Sequence, residues 1–151
     1  MNIRPMHISE ANYASELIMA AFFDTVAHTL PRHGIESFRD IVSADSLRQY
    51  QKDGALLLVA EEEHQVVGLG AIKAGRHIGL LFVEPQFQRQ GIGQALVKAL
   101  LEHREADTVT VRASVPSIPA YERYGFHITG QLEESAGIIS QPMQRDFSPH
   151  H

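Results

Sequence analysis

Several kinds of functional site are excluded by residues that this sequence lacks. The 151-residue chain contains no cysteine, so it can form neither a disulfide bond nor a cysteine-bound intermediate. This absence fits a reducing compartment. Its nine histidines include no His-x-x-x-His pair, the spacing that places two metal ligands on one helix face. We therefore expect no metal site.

The chain is also short of positive charge and of long apolar segments. Thirteen lysines and arginines stand against 18 aspartates and glutamates, a net charge of −5, whereas a general nucleic-acid binder needs a basic face. A negative balance instead suits a cationic substrate such as an amine. No apolar stretch approaches the roughly 20 residues that span a bilayer, and residues 1–5 contain no signal-peptide core. We expect a cytoplasmic protein with neither a nucleic-acid nor a membrane partner.

The length of the chain and the spacing of its apolar residues indicate one α+β domain. No repeat, low-complexity tract or linker divides the sequence, so we expect a single domain over residues 1–147 and a tail over residues 148–151. The pattern predicts a mixed, mostly antiparallel central sheet of six to seven strands with helices on both faces. Helices are expected over residues 9–29, 35–42 and 43–52, from residue 91 onward, and over 117–124. Strands are expected over residues 2–6, 55–60, 66–74, 77–83, 107–113, 126–129 and 137–145.

The most informative segment is the polar, glycine-rich turn over residues 88–94. It lies between an apolar strand over 78–83 and an amphipathic helix. The start of a helix gathers unpaired backbone N–H groups at the positive end of the helix dipole, which is a favourable position for a phosphate group. Gly91 and Gly93 would let the backbone approach such a ligand closely. The segment therefore predicts a phosphate or diphosphate site.

Two common phosphate-binding motifs do not fit this turn, and a third one does. A P-loop requires Lys-Ser/Thr after its last glycine, and neither follows Gly93. A dinucleotide fingerprint requires a small residue where Leu96 stands, and it should follow the strand directly. The third pattern is Gln/Arg-x-x-Gly-x-Gly/Ala after a strand that ends in Val-x-Pro. It is met in full by Val83-Glu84-Pro85 and Gln88-x-x-Gly91-x-Gly93.

A second motif follows at the distance of one helix and one strand. Residues 121–126 read Tyr-Glu-Arg-Tyr-Gly-Phe, in a segment that starts at Ser114. Together the two motifs resemble the acetyl-coenzyme A signature and the closing segment of the GNAT superfamily of N-acetyltransferases. The chain departs from the family pattern at Ala120, which replaces an aromatic residue, and at Ser114, where asparagine is frequent. The resemblance covers roughly residues 65–130 with specific motifs.

This resemblance implies acetyl-coenzyme A as co-substrate, with no metal. The pyrophosphate would contact the N–H groups of the glycine-rich turn. The pantetheine arm would run along the strand that Pro85 ends, because proline stops regular pairing there. The residues implied to bind the cofactor are Leu81, Phe82, Val83, Gln88, Arg89, Gln90, Gly91, Ile92, Gly93, Gln94 and Ser114.

The family mechanism implied for the chain is direct acetyl transfer to a primary amine through a tetrahedral intermediate. The Val83 N–H would polarise the thioester carbonyl, and Tyr121 would protonate the departing thiolate as general acid. Many relatives carry a glutamate base on the strand over 108–112, which contains no carboxylate here. The base is therefore left open between His77, Glu84 and water. Strand alternation predicts His77 on the same face as Val83.

The acceptor amine and the assembly are less defined by the sequence. A small-molecule or peptide amine is expected, and dimers are common in the family, so a homodimer is left open. Two other functions also stay open, a non-catalytic acyl-coenzyme A binding or sensing protein and a nucleotide-binding regulatory module. The residues expected to line the acceptor side are Phe22, Phe23, His28, His33, Phe38 and Tyr50.

Overall fold

The expected α+β architecture is confirmed. The structure, a computed structural model, describes residues 1–147, so the tail expected over residues 148–151 lies outside the described residues. The helices are α1 (Ala11–Thr25), α2 (Arg32–Ile41), α3 (Ala44–Lys52), α4 (Ile92–Glu102) and α5 (Ile118–Arg123). The strands are β1 (Asn2–Pro5), β2 (Leu56–Glu62), β3 (Gln65–Lys73), β4 (His77–Val83), β5 (Thr108–Ala113), β6 (His127–Ile128), β7 (Glu133–Ser135) and β8 (Ile138–Asp146).

The strands form one sheet in the order β1-β2-β3-β4-β5-β8-β6, and β7 pairs with the first residues of β8. Neighbouring strands are antiparallel except β4 and β5, which are parallel. The described residues thus contain eight strands, one more than the upper bound expected from the sequence. The strand that was missed is β7, whose three residues are all exposed. Without a buried face it has no apolar alternation by which to recognise it.

Helices cover both faces of the sheet. Leu96 and Leu100 of α4 are buried in the cluster on one face, and Leu17 of α1 and Leu47 of α3 are buried in the cluster on the other. The apolar stripes read from the sequence therefore point at the sheet, as expected for surface helices.

The first helix is shorter than expected. The sequence predicted one helix over residues 9–29, but α1 ends at Thr25, and short 3₁₀ turns precede and follow it. The Thr25 hydroxyl donates a hydrogen bond to the Ala21 carbonyl oxygen (3.2 Å), and the Thr29 hydroxyl donates to that of Val26 (2.6 Å). Such hydroxyl bonds compete with helical pairing, which accounts for the early end.

Strand β4 contains a bulge that the sequence did not reveal. Leu80 pairs with Ala71 of β3, and Ile78 pairs with Ile72, so Gly79 is an extra residue on β4. A bulge of this kind bends its strand and reverses the alternation of side chains beyond it.

The bulge overturns the expected orientation of His77. Leu81 and Val83 pack against the α4 cluster, and Ile78 belongs to the same cluster. If side chains alternated along β4 without a break, Ile78 would lie on the face opposite to Leu81 and Val83. His77, its neighbour, consequently faces away from Leu81 and Val83, and the prediction that they share a face is wrong.

Helix α2 is held tightly against the β7–β8 hairpin. Gly34 lies inside α2, where an added Cβ would overlap the carbonyl oxygen of Gly137. The Ser37 hydroxyl donates a hydrogen bond to the Ala136 carbonyl oxygen (2.8 Å). This contact holds α2 against one side of the sheet. It requires a glycine at residue 34, because no side-chain atom fits there.

We expect Gly34→Ala to lower the free energy of unfolding by about 1–3 kcal/mol, because the overlap is with backbone, which cannot move aside cheaply. At an exposed position in a helix, a change from glycine to alanine would instead raise the free energy of unfolding by up to about 1 kcal/mol. Urea unfolding of the two proteins measures the difference. Gly130→Ala is the matched control, since an added Cβ there meets no atom within 4 Å, and a change within about 0.5 kcal/mol is expected. A stabilised Gly34→Ala protein would contradict the close packing.

Candidate functional site

The candidate site is a cleft that opens where β4 and β5 stop pairing. The two strands pair only at His77 with Thr110 and at Ile78 with Val111. Beyond these two pairs they separate, and a cleft of about 540 Å³ lies between them. The separation leaves one edge of β4 without a partner strand.

The free edge of β4 presents backbone hydrogen-bonding groups to the cleft. The Glu84 N–H donates to the Val67 carbonyl oxygen of β3 (2.8 Å). Because alternate residues of an antiparallel strand bond to the partner, the N–H and carbonyl groups of Leu81 and Val83 point the other way. The Gln88 side-chain amide donates to the Val83 carbonyl oxygen (3.0 Å). The Val83 carbonyl oxygen is thus already hydrogen-bonded, and the N–H groups of Leu81 and Val83 remain for a ligand.

The glycine-rich turn has the backbone shape of an anion site. Gly91 caps α4 in a left-handed conformation with φ of 82°, and Arg89 has φ of 64°. The first intrahelical bond runs from Ala95 to the Gly91 carbonyl oxygen, so the N–H groups of the first helical turn have no helical acceptor. Arg89 also lines the cleft. Open N–H groups, the helix dipole and a guanidinium together favour an anion here.

Most of the residues implied to bind the cofactor meet in this cleft. Gln90 is the exception, because it does not line the cleft. Those that do are Leu81, Phe82, Val83, Gln88, Arg89, Gly91, Ile92, Gly93, Gln94 and Ser114. The cleft thus unites the end of β4, the start of α4 and the end of β5, while the role of each residue stays a prediction.

Tyr121 lines the cleft from α5 with its ring in the core. The residue is only 5% exposed, and its ring lies edge-on to those of Tyr124 and Phe126 at centroid distances of 5.8 and 5.6 Å. Its hydroxyl makes no hydrogen bond with residues 1–147. Every buried side-chain polar atom among these residues has a hydrogen-bond partner, so the unpaired Tyr121 hydroxyl oxygen is not one of the buried atoms. The hydroxyl oxygen therefore keeps access to the cleft. Burial raises the pKa of Tyr121 well above its usual value, so the group is protonated at neutral pH.

Tyr124 is a cleft residue that the sequence analysis did not single out. It is half-buried and lines the cleft, and an added Cβ on Gly93 would lie 2.9 Å from its hydroxyl oxygen. Gly93 therefore makes room for this tyrosine at the start of α4. The signal in the sequence was the spacing of three residues from Tyr121, which places both rings on the same side of a helix.

Neither protein candidate for the general base lines the cleft. His77 Nδ1 lies 2.8 Å from the Thr110 hydroxyl oxygen, at the other end of β4 from the glycine-rich turn. Glu84 lies within 3.5 Å of the Gln65 side-chain amide. The lining residues in the described part of the chain include no aspartate, glutamate or histidine, but they include Arg89, Arg112 and Arg123. Water is the remaining candidate among the three.

The acceptor side of the cleft is apolar and aromatic. Phe22 stacks on Phe38 at a centroid distance of 4.1 Å, and Phe38 lies 5.6 Å from Phe82. Among the six residues expected there, Phe22 and Phe38 line the cleft. Phe23, His28, His33 and Tyr50 do not line it. Further lining residues on this side were not expected from the sequence, because they reach the cleft only where α1 and β8 converge on it: Thr25, Val26, Leu30, Ile138, Ile139 and Ser140.

Residues 1–147 contain neither a candidate membrane span nor a candidate metal cluster. No helix there is both long and apolar enough to cross a membrane. Nor does this range hold a group of three or more histidine or acidic side chains placed to bind one metal ion.

Known proteins match both the sequence and the fold. Residues 26–147 match the model of the family described as acetyltransferase (GNAT) domain. The uncharacterized N-acetyltransferase YafP of Escherichia coli K12 is 34% identical over 76 residues, which are 50% of this chain and 49% of YafP. The peptidyl-lysine N-acetyltransferase YiaC of the same organism is 34% identical over 71 residues, 46% of this chain and 49% of YiaC. The chain thus spans about half the length of either relative.

A solved structure shares the whole fold. The PaiA N-acetyltransferase from Thermoplasma acidophilum, in complex with coenzyme A, matches with a TM-score of 0.78. The match covers 96% of this chain and 98% of that one at 18% sequence identity. At this level of identity, the likeness establishes a common fold.

The geometry around His77 predicts a measurable titration. Burial and the positive charge of Arg112 lower the pKa of His77 below its usual value of about 6.5. We expect NMR titration to find this lowered pKa and to find it raised in Arg112→Gln. His77 takes up its proton at a higher pH in the unfolded chain than in the folded protein. The free energy of unfolding therefore falls as the pH drops below about 6.5, and it should fall less in Arg112→Gln. Arg48→Gln, on the exposed side of α3, is the control. An unchanged His77 pKa in Arg112→Gln would show that Arg112 lies elsewhere.

Proposed function

We propose, because the chain belongs to the GNAT acetyltransferase family, that it transfers an acetyl group from acetyl-coenzyme A to a primary amine. The supporting observation is the continuity of the cleft, which runs from the free edge of β4 to the open N–H groups of α4 past the Tyr121 hydroxyl. The relatives YafP and YiaC are both described as N-acetyltransferases, which agrees with this activity. So does the coenzyme A bound to the PaiA protein.

The two halves of the cofactor would use different parts of the cleft. The pyrophosphate would accept hydrogen bonds from the first turn of α4, with Arg89 adding positive charge. The pantetheine arm is extended and carries amides, so it would pair with the edge of β4 like an added strand. Leu81 and Val83 supply the N–H groups for this pairing and for the thioester carbonyl. Ser114, at the end of β5, would offer its hydroxyl from the opposite wall.

The transfer itself forms one bond and breaks another. The amine nitrogen attacks the thioester carbonyl carbon, and the N–H of Val83 or Leu81 stabilises the oxyanion. The intermediate collapses as the carbon–sulfur bond breaks, and Tyr121 donates its proton to the thiolate. Burial raises the pKa of Tyr121, so its hydroxyl holds the proton at neutral pH until the thiolate takes it up.

The amine proton would leave through water, because no acidic or histidine side chain among the described residues lines the cleft. An amine with a pKa of about 10.4 is only about 0.1% neutral near pH 7.4, whereas one with a pKa of about 7.8 is roughly one-quarter neutral. Without a protein base, the enzyme depends on that neutral fraction. Amines whose pKa is low, or is lowered by the site, are therefore the better substrates.

A non-catalytic acyl-coenzyme A sensor is the second candidate function. The observation in its favour is that the described cleft lining contains no acidic or histidine side chain that could act as general base. Release of free thiol in the presence of a panel of amines separates the two, since a sensor binds coenzyme A and shows no turnover with any amine. Thermal shifts with coenzyme A, ATP and NAD test the third reading, a nucleotide-binding module, because only true ligands raise the melting temperature.

Tyr121→Phe is expected to lower kcat by about 10²–10⁴-fold, the usual contribution of a general acid. The affinity for acetyl-coenzyme A should hold, because phenylalanine preserves the ring packing against Tyr124 and Phe126. Steady-state thiol release and calorimetric binding measure the two quantities. Tyr13→Phe is the control, since Tyr13 is exposed on α1 and should keep full activity. A Tyr121→Phe enzyme with wild-type kcat would remove Tyr121 from the mechanism.

Gly91→Asp and Gly91→Asn test the anion site with a matched pair. Both side chains tolerate the left-handed backbone, and an added Cβ meets no atom within 4 Å, so the pair differs mainly by one negative charge. We expect the aspartate protein to bind acetyl-coenzyme A at least about tenfold more weakly than the asparagine protein, because its carboxylate repels the pyrophosphate. Equal affinities, with equal melting temperatures, would show that the pyrophosphate binds elsewhere.

A further inference from the structure

The acceptor side of the cleft combines an apolar wall with a single cation. Phe82 of β4 packs with Phe38 of α2 and Phe22 of α1. Phe38 and Phe82 present the accessible surface, and Phe22, only 2% exposed, supports them from behind. The polar side chains on this side of the cleft besides Arg112 are the hydroxyls of Thr25 and Ser140. Such a surface favours an uncharged, preferably apolar part of a substrate.

Arg112 faces this side of the cleft. Its neighbours Val111 and Ala113 are buried in the α4 cluster, so alternation along β5 turns Arg112 to the opposite face, the one that α1 and α2 cover. The effect of its charge on the pKa of His77, whose partner Thr110 lies two residues earlier on the same face, agrees with this orientation.

The Arg112 guanidinium is free to bind a ligand. It makes no ion pair and no hydrogen bond with any residue in the range 1–147, and it lines the cleft. The other two arginines, Arg89 and Arg123, belong to the glycine-rich turn and to the end of α5, beside the proposed pyrophosphate position. Arg112 is therefore the cation available to the acceptor.

The cleft is also poorly suited to polycations, although the whole chain carries a net charge of −5. No carboxylate among residues 1–147 lines it. A polyamine or a multiply charged amine would meet Arg112, which is exposed at the cleft, without a compensating anion, and the like charges would repel. The negative charge of the chain thus lies outside the cleft.

We propose that the acceptor is a small amine that also carries a carboxylate and an apolar side group, as an apolar α-amino acid does. Arg112 binds the carboxylate, the Phe22–Phe38–Phe82 wall takes the side group, and the amine is left facing the thioester. This inference rests on the proposed acetyl transfer and adds the substrate class to it.

The same arginine would assist the chemistry. The carboxylate of an amino acid favours the protonated form of its own amine, so an arginine that pairs with this carboxylate lowers the pKa of the bound amine and raises the neutral fraction. A cleft that contains no protein base gains from this effect, because the attacking nitrogen must be neutral. Arg112 would therefore act as a specificity-determining residue and as an electrostatic substitute for part of the role of a base.

The experiment compares acids with their amides. L-phenylalanine and L-leucine differ from phenylalaninamide and leucinamide in the carboxylate and retain the side group and the amine. Glycine lacks the apolar group, and spermidine and a lysine-containing peptide represent the competing substrate classes. Coenzyme A release by the full chain is measured with each. The carboxylate also raises the pKa of the neighbouring amine, so kcat/KM is measured over a pH series and compared per concentration of neutral amine. On this basis we expect a higher kcat/KM for the two acids than for their amides, by about tenfold or more, and little turnover of glycine or spermidine.

Arg112→Gln gives the decisive comparison. We expect its KM for L-phenylalanine to rise by about 10–100-fold, the usual effect of losing a charge-assisted hydrogen bond. Its KM for phenylalaninamide and for acetyl-coenzyme A should change by less than about threefold. Arg112→Lys should restore part of the affinity. Arg48→Gln is the control with unchanged kinetics, since Arg48 is paired with Asp45 on α3. Binding of N-acetyl-phenylalanine in the presence of coenzyme A supplies a readout independent of turnover.

Three results would overturn the inference: equal kcat/KM for acids and amides, a preference for spermidine or the lysine peptide, or equal effects of Arg112→Gln on acid and amide. If acetyl transfer to another amine persists in these cases, the proposed function stands and only the substrate class is wrong. If no amine releases coenzyme A while a thermal shift shows that acetyl-coenzyme A binds, the enzyme proposal fails, and this inference fails with it.

Discussion

The incomplete pairing of β4 and β5 is the constraint on which the rest of the site depends. Two residue pairs join the strands, and beyond Ile78 the edge of β4 has no partner strand. A free edge inside a sheet is costly unless something satisfies it, because buried backbone groups need hydrogen-bond partners. Pro85 ends the strand and the turn at Gly91 starts α4 immediately afterwards. The unpaired edge and the unpaired helix terminus thus face one cleft, and an extended ligand with a diphosphate at one end would satisfy both.

The cleft divides into two regions of different polarity. Backbone donors and Arg89 lie at the end proposed for the cofactor, and phenylalanine rings with Arg112 lie at the end proposed for the acceptor. Tyr121 stands with its ring in the core and its hydroxyl open to the cleft. In the proposed mechanism, burial would keep Tyr121 protonated as the acid, and the surroundings of the amine would have to favour its neutral form. The choice of acceptor amine would therefore depend on the charge and shape of the acceptor wall.

The parts of the site that were predicted correctly are those that local chemistry encodes. Gly91 and Pro85 act on their own backbone and on adjacent residues, so the strand end, the turn and the helix start were readable from a few neighbouring letters. The family assignment followed from these letters and was confirmed. The parts that were missed depend on distant residues. Examples are the bulge at Gly79, the convergence of Ile138 with α1, and the strand β7. The homodimer, the cytoplasmic location and the absence of a nucleic-acid partner stay predictions.

The sequence by itself determined the fold class, the order of the helices and most strands, and the glycine-rich turn that starts α4, because periodicity and turn chemistry are short-range properties. Only the tertiary structure decided which side chains share the cleft. The bulge in β4 turned His77 away from the cleft. The early end of α1 and the packing of α2 on the β7–β8 hairpin formed the aromatic wall. The divergence of β5 from β4 placed Arg112 at the edge of this wall. These outcomes arise from strand register and packing between segments far apart in the chain, which no local pattern records.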